Sequence, residues 1–195
     1  MSAKSAQSIR VIGGKWRSRI IGFPAIDGLR PTGSRIRETL FNWLAPYIEG
    51  ARCLDLFAGS GALSFEALSR GAESCLALEN STDIVKQLRA NQVSLEANNL
   101  SLLKTDTRDY LRTGNNQRPF DIVFLDPPFA DQLHTQISHL LADNGWLRNE
   151  AFIYTESPAS EHLSPPANWQ PLRKKTAGEV TYCLYQHVEL SAQLQ

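Results

Sequence analysis

Two short stretches of this 195-residue chain hold residue types at spacings that could do chemistry. The first is Leu54-Asp-Leu-Phe-Ala-Gly-Ser-Gly-Ala-Leu63. Glycines at 59 and 61 permit a tight turn and close approach of a ligand to the backbone, as at a nucleotide-holding strand-to-helix junction. Glu79 lies twenty residues beyond Gly59, where a carboxylate ending the next strand would accept from ribose hydroxyls. A dinucleotide site would share these features, but two details argue against pyrophosphate. Ser64 stands where the third glycine of a G-x-G-x-x-G fingerprint belongs, and Asp55 puts a negative charge just before the turn. A carboxylate there repels phosphate and attracts the ammonium of S-adenosylmethionine, which carries no phosphate. The stretch favours the methyl donor, with a ligand-free glycine turn as the minor alternative. Asp106, after a third apolar run, fits either an acceptor for the adenine amino group or an N-cap for the helix beginning at Thr107.

The second stretch is Asp126-Pro-Pro-Phe129. Two consecutive prolines fix the backbone and remove two N–H donors, leaving carbonyl oxygens as acceptors. An exocyclic base amine is a poor nucleophile because its lone pair is delocalised into the ring. The Asp126 carboxylate and the Pro127 carbonyl can each accept one amine hydrogen, turning the lone pair toward a methyl group, and Asp126 can take the released proton. Phe129 offers a flat apolar face for a flipped base. Asp-Pro alone is a common strand-ending turn, but three strands after a methyl-donor loop it reads as catalytic.

Elements must position these residues. From Ala51 onward, apolar runs at Arg52–Phe57, Ser74–Glu79, Leu100–Thr105, Phe120–Leu125 and Phe152–Glu156 alternate with helical stretches near Ala62–Arg70, Ser81–Asn98, Thr107–Leu111 and Leu133–Ala142. That alternation predicts an α/β fold with a parallel sheet covered by helices on both faces. Trp169–Lys175 and Val180–His187, joined by Thr176-Ala-Gly-Glu179, read as a closing hairpin. Seven strands result. Upstream, Ile36, Leu40, Trp43, Leu44 and Tyr47 form one apolar helical stripe after Pro31. Arg10–Ile21 reads as two β segments around Gly13-Gly14, with Lys15, Arg17 and Arg19 at period two on one face. Residues 1–30 thus form a basic extension with a β-hairpin, and residues 31–195 the main domain.

Lys and Arg number 20, as do Asp and Glu, but the balance is uneven. Residues 1–37 hold eight bases against one acid; the rest hold twelve bases against nineteen acids. A localised polyanion contact follows, with a solvated basic tail as the equal alternative. Arg35 and Arg37 in a first helical turn, where the dipole disfavours cations, hint at an anionic partner. Cys53, Cys75 and Cys183 form neither a metal pair nor a disulfide framework, the four histidines form no metal or nucleophile pattern, and no metal is expected. With no apolar run of membrane length and no secretory signal at the start, a cytoplasmic protein is expected. Trp146, after Asn144-Gly145, reads as a turn anchor, and Arg173-Lys-Lys175 as a solvated strand end.

The series Ile12-Gly-Gly-Lys-Trp-Arg17, Arg30-Pro-Thr32, Arg35-Ile-Arg-Glu-Thr-Leu-Phe-Asn-Trp-Leu44, Asp55-Leu-Phe-Ala-Gly-Ser-Gly61, Glu66-Ala-Leu-Ser-Arg-Gly-Ala72 and Asp126-Pro-Pro-Phe129 resembles the RsmD family of bacterial 16S rRNA guanine-N2 methyltransferases. The resemblance runs from about Ile9 to Tyr185, departing from the family's usual glycine at Ser64. It implies the class I (Rossmann-like) S-adenosylmethionine-dependent methyltransferase fold, a monomer, and a guanine in 16S rRNA within the 30S subunit as substrate. Asp55, Phe57, Gly59, Gly61, Glu79 and Asp106 would hold the donor, and Asp126, Pro127 and Phe129 the base. Arg10, Lys15, Arg17, Arg19, Arg30, Arg35 and Arg37 would meet RNA phosphates. Two rivals remain. An adenine-N6 DNA methyltransferase would share the chemistry but lacks a DNA-recognition domain here, and a non-catalytic RNA-binding assembly factor would keep the fold without turnover.

Overall fold

The period-two and helical stripes after Ala51 translate directly into backbone. The computed structural model describes residues 7–26, 31–128 and 133–189, and the chain divides into two units, Met1–Thr107 and Arg108–Gln195. The first unit opens with β1 (Gln7–Arg10) and β2 (Ile20–Phe23), an antiparallel pair forming its own small sheet. There follow α1 (Ser34–Leu44), β3 (Arg52–Asp55), α2 (Ala62–Ser69), β4 (Ser74–Glu79), α3 (Thr82–Leu95) and β5 (Leu100–Lys104). β4 pairs in parallel with β3 on one side and β5 on the other. Cys53, Leu54, Cys75, Ala77 and Leu78 are buried, as strands covered on both faces require.

α4 (Thr107–Arg112) crosses the boundary between the units. The second unit continues with β6 (Phe120–Leu125), α5 (His134–Asp143), β7 (Leu147–Pro158), β8 (Trp169–Ala177) and β9 (Val180–His187). β7 lies parallel to β6 and antiparallel to β9, which carries β8 at the edge. The seven strands are those of the expected mostly parallel sheet with a C-terminal antiparallel hairpin. β7 begins five residues before the apolar run at Phe152, because exposed Arg148, Asn149 and Glu150 interrupt its pattern. Glu150 takes a positive φ of 63° where the pairing with β6 shifts register. Trp146 is an anchor, its ring N–H donating to Leu111 O at 3.0 Å and its face 4.9 Å from Tyr110.

The basic extension departs from the expected hairpin. β1 and β2 are joined by Val11–Arg19, not by Gly13-Gly14, and Gly14–Trp16 is a turn of 3-10 helix. Lys15, Arg17 and Arg19 therefore project from a loop rather than from one strand face. The glycines serve a different purpose: a Cβ at Gly14 would overlap the Ser69 carbonyl, and one at Gly13 would stand 2.6 Å from the Arg70 guanidinium. This loop lies against α2. Every residue of α2 is buried, which an eight-residue helix achieves only when covered on both sides. Trp16 meets Phe65 edge-on at 6.4 Å, while β3 and β4 pack against the same helix.

A carboxylate closes the contact. Glu66, 0% exposed in the middle of α2, accepts from Ile12 N and Gly13 N, both at 2.8 Å, and from Arg70 Nε at 2.7 Å. Arg37 Nη1 stands 3.6 Å away. Ser69 adds to the clasp, accepting from Trp16 N at 2.9 Å and donating to Gly13 O at 2.5 Å. α3 holds the other end of the extension: Asn91 accepts from Gly22 N at 3.2 Å and donates to Gly22 O at 2.7 Å, standing in for a neighbouring strand.

α1 is rotated relative to the expected stripe. Its buried face is Arg37, Leu40, Phe41 and Leu44, while Tyr47, just past its end, is exposed. Arg37 was expected to meet RNA; instead it is 2% exposed and donates to Thr32 O and Arg10 O, both at 3.1 Å, beside Glu66. Burial pulls its pKa down and Glu66 opposes that pull. The anion that compensates a cation in the first turn of α1 is internal.

Breaking a buried ion pair from one side strands its partner, which costs about 3 to 5 kcal/mol, whereas an exposed pair contributes under about 1. Glu66→Gln should therefore lower urea-unfolding stability by about 3 kcal/mol. Asp109→Asn, which removes the exposed pair with Arg112 at 3.0 Å, should change it by less than about 0.5.

Candidate functional site

In the first unit the turn after β3 is built around two carboxylates. Asp55 ends β3, 2% exposed, and its Oδ2 accepts the Ser64 hydroxyl at 2.5 Å. Burial pushes its pKa up to about 6, opposed by the Ser64 hydroxyl and the Phe57 backbone N–H, while the charge of Glu79 adds to the rise. Ser64, at the position of the missing third glycine, is thus small enough to be buried and supplies a donor to Asp55. Glu79 ends β4 and accepts from Gly59 N at 3.0 Å and from Ser81 N at 2.8 Å, one bond per oxygen. A carboxylate oxygen has a second lone pair, so both retain acceptor capacity for ribose hydroxyls.

The turn is held tightly. Ala58 N donates to Leu78 O at 3.0 Å and Gly61 N to Ala58 O at 2.7 Å. Gly61 has a φ of +77°, and a Cβ there would meet Leu88 and Phe65 at 2.7 Å. Only glycine completes this start of α2. Asp106 follows β5, half-buried, and its neighbour Thr107 donates to Leu56 O at 2.5 Å, fastening the two loops together. Residues 55–64 and 79–81 contain two carboxylates and no Lys or Arg. That set of groups fits a cationic donor with a ribose, and it would repel a pyrophosphate.

In the second unit Asp126, half-buried, and Pro127, buried, follow the last residue of β6. Phe124 pairs with Tyr154 in the parallel ladder. Two residues further on, Glu156 is 4% exposed and accepts the Tyr154 hydroxyl at 2.8 Å. Burial and then the charges of Glu156 and Asp126 hold the Tyr154 phenol well above its usual pKa. Sequence reading passed over Glu156 and Tyr154, although a glutamate inside an apolar run, beside the strand that ends in Asp126, was a usable signal. His134, at the start of α5, is a structural histidine: Nε2 lies 2.6 Å from Glu156 O, and a carbonyl can only accept. Among the described residues no group of three or more His, Cys, Asp or Glu could hold a metal ion.

Of the cations expected to meet RNA, Arg10, Lys15, Arg17, Arg19 and Arg35 are exposed. Lys15 lies over Trp16 at 4.4 Å from the ring centre, and Arg19 donates to Ser94 O at 2.8 Å. Arg37 is interior, as described above. Arg30 and Phe129 fall outside the described residues.

Comparison with known proteins bears on these strand ends. A family model described as "Conserved hypothetical protein 95" matches residues 9–186. Ribosomal RNA small subunit methyltransferase D of Escherichia coli strain K12 is 49% identical over 179 residues, 91% of this chain and 89% of that one. Its Haemophilus influenzae namesake is 45% identical over 181 residues, 92% and 94% of the two chains. A solved Escherichia coli structure superposes with a TM-score of 0.84 at 46% identity, covering 94% of this chain and all of that one. At 15% identity, an RNA methyltransferase from Salinibacter ruber crystallised with S-adenosyl-L-homocysteine shares the fold, with a TM-score of 0.63 over 85% of this chain and 98% of that one. With its family model spanning nearly the whole sequence and relatives near half identity along nine-tenths of it, the chain belongs to the Conserved hypothetical protein 95 family, the RsmD family that its motifs resemble.

Proposed function

We propose that this chain is an S-adenosylmethionine-dependent methyltransferase of small-subunit rRNA that modifies the N2 amine of one guanine in the 30S subunit. The observation that carries it is the twin-carboxylate glycine turn after β3, which suits a cationic donor and repels phosphate, in a chain that also places Asp126-Pro127 directly after β6. The relatives named above as ribosomal RNA small subunit methyltransferases supply the substrate class. Three buried free cysteines fit a reducing cytoplasm, and among the described residues no helix is long and apolar enough to cross a membrane. The enzyme acts as a monomer.

Glu79 holds the donor ribose, Asp106 the adenine amine, Gly59 and Gly61 bring backbone close, and Phe57 lines the donor. Asp55 acts through its charge on the donor's ammonium. S-adenosylmethionine supplies a methyl group made electrophilic by its sulfonium sulfur. Asp126 and the Pro127 carbonyl each accept one hydrogen of the guanine N2 amine, which aims the nitrogen lone pair at the methyl carbon. When bound, the donor would give up its methyl group with the S–C electron pair retained on its sulfur, and Asp126 or water would take the surplus proton from the methylated amine. Phe129 stacks on the base. Arg10, Lys15, Arg17, Arg19, Arg30 and Arg35 neutralise phosphates, which positions the RNA without reading its sequence.

The test is transfer of tritium from labelled donor to three substrates: 30S particles lacking the modification, protein-free 16S rRNA, and adenine-rich duplex DNA. N2-methylguanosine in the particle is the expected product. Label confined to DNA would identify an adenine-N6 enzyme, and donor binding without transfer to any substrate would identify an assembly factor. Asp126→Ala should cut kcat by about 10²-fold or more while leaving donor affinity and particle binding unchanged.

The raised pKa of Asp55 sets a second expectation. Above about 6 the carboxylate is ionised and attracts the ammonium; below it the group is neutral and the attraction is lost. Donor affinity measured by calorimetry should fall about tenfold, roughly one pKa unit of interaction, between pH 7.5 and pH 5. Asp55→Asn should bind the donor weakly at both values and flatten the profile.

A further inference from the structure

The second unit is acidic, with ten Asp and Glu against seven Lys and Arg over residues 108–195, yet three of those seven bases are consecutive: Arg173, Lys174 and Lys175. They lie on β8, the edge strand, where residues 170–176 are all exposed. Both faces of this strand and its outer margin are open. Side chains alternate along a strand, so Arg173 and Lys175, opposite Leu184 and Tyr182, share one face, and Lys174, opposite Cys183, takes the other. Three of the unit's four other bases stand beside acids: Arg112 with Asp109 at 3.0 Å, and Arg148 and Arg118 with Asp121 at 2.9 and 3.9 Å. Arg173 instead turns to its own neighbour's backbone, donating to Leu172 O at 2.9 Å. In the β8–β9 hairpin Glu179 is the one acid.

Cations on an edge strand often serve to block unwanted strand pairing, but β8 already has other means of doing so. Pro171 removes one backbone N–H, and the register shift between Pro171 and Arg173 breaks the ladder. Those same two features exclude a partner protein that would dock by adding a strand. What remains is a dense, exposed, three-charge strip complementary to a polyanion. We propose that β8 is an RNA-contact surface in addition to the basic N-terminal loop, with Arg173, Lys174 and Lys175 binding backbone phosphates of the small-subunit rRNA. The inference extends the proposed rRNA substrate and depends on it.

Each phosphate contact contributes about 0.7 to 0.9 to the slope of log affinity against log salt. The triple variant Arg173→Gln, Lys174→Gln, Lys175→Gln keeps side-chain length and removes three charges. Against both 30S particles and protein-free 16S rRNA, it should lower the salt slope by about 2 and raise Kd and KM at least tenfold. Its kcat and donor affinity should match wild type, and Lys174→Gln alone should lower the slope by about 0.7. Unchanged slope and KM in both variants would overturn the proposal. So would a loss seen with particles but not with protein-free rRNA, which would mark a ribosomal protein as the partner. Aggregation of the variants with normal RNA affinity in the soluble fraction would reduce the strip to an edge guard. Failure of wild-type protein to bind or methylate either substrate would overturn the rRNA reading as well, whereas failure confined to the variants' effect overturns this surface alone.

Discussion

A carboxylate with no access to water must find its compensation inside the protein, and much of the first unit is arranged around one such group. Glu66 sits in the middle of a helix that is buried all round, so its charge is met by two backbone N–H groups and two guanidinium groups. The two N–H groups belong to Ile12 and Gly13, which fixes the N-terminal loop on α2. One guanidinium belongs to Arg37, which fixes the rotation of α1 and turns Leu40, Phe41 and Leu44 inward. The other is Arg70, whose guanidinium lies 2.6 Å from where a Cβ at Gly13 would stand. A single buried charge therefore decides where the N-terminal loop lies and which face α1 buries.

That arrangement has a consequence for recognition. A flexible basic tail must surrender conformational freedom to bind a phosphate backbone, which offsets part of the electrostatic gain. Here the loop that carries Lys15, Arg17 and Arg19 is already tied to α2 through Ser69 and Glu66 and to α3 through Ser94, while Asn91 of α3 holds the adjoining β2 at Gly22. Arg37 and Arg70 meet Glu66 in the interior, and in the proposed reading the exposed Lys15, Arg17 and Arg19 are the ones that face RNA phosphates. The donor turn uses charge in the reverse sense. It gathers Asp55 and Glu79 without Lys or Arg, which suits the cationic donor proposed for it rather than a phosphate.

Local patterns in the sequence were enough to place β3 to β6, α2 to α5 and the closing hairpin, since each rests on apolar periodicity and glycine placement within a few residues. The geometry of the glycine turn after β3 was legible for the same reason: Asp55, Gly59, Gly61 and Ser64 are sequence neighbours, and Glu79 follows from strand length. What failed depended on distant partners. Glu66 contacts residues more than fifty positions away, so nothing around it marks it as buried. Arg37 looked solvent-facing because a cation in a first turn has no local partner. The period-two cations of Lys15 to Arg19 imitated a strand, but the approach of Ser69 and Arg70 forces a tight turn there instead. Glu156 was hidden by its place in a run read only for strand content.

The chemistry proposed at Asp126-Pro127 narrows the reaction further than it narrows the base. Two acceptors that grip an exocyclic amine serve adenine N6 and guanine N2 alike, so the end of β6 cannot by itself select the target. Nor can the exposed cations, since phosphate contacts carry register and orientation but no sequence. In the proposed rRNA enzyme the remaining selectivity must come from how the substrate is folded. A guanine is modified because the shaped RNA presents its amine to Asp126 while its backbone satisfies the basic surfaces. Basic surfaces that read only the phosphate backbone rely on such a substrate. The proposed enzyme can afford sparse recognition elements when the particle it acts on has already fixed the position of the base.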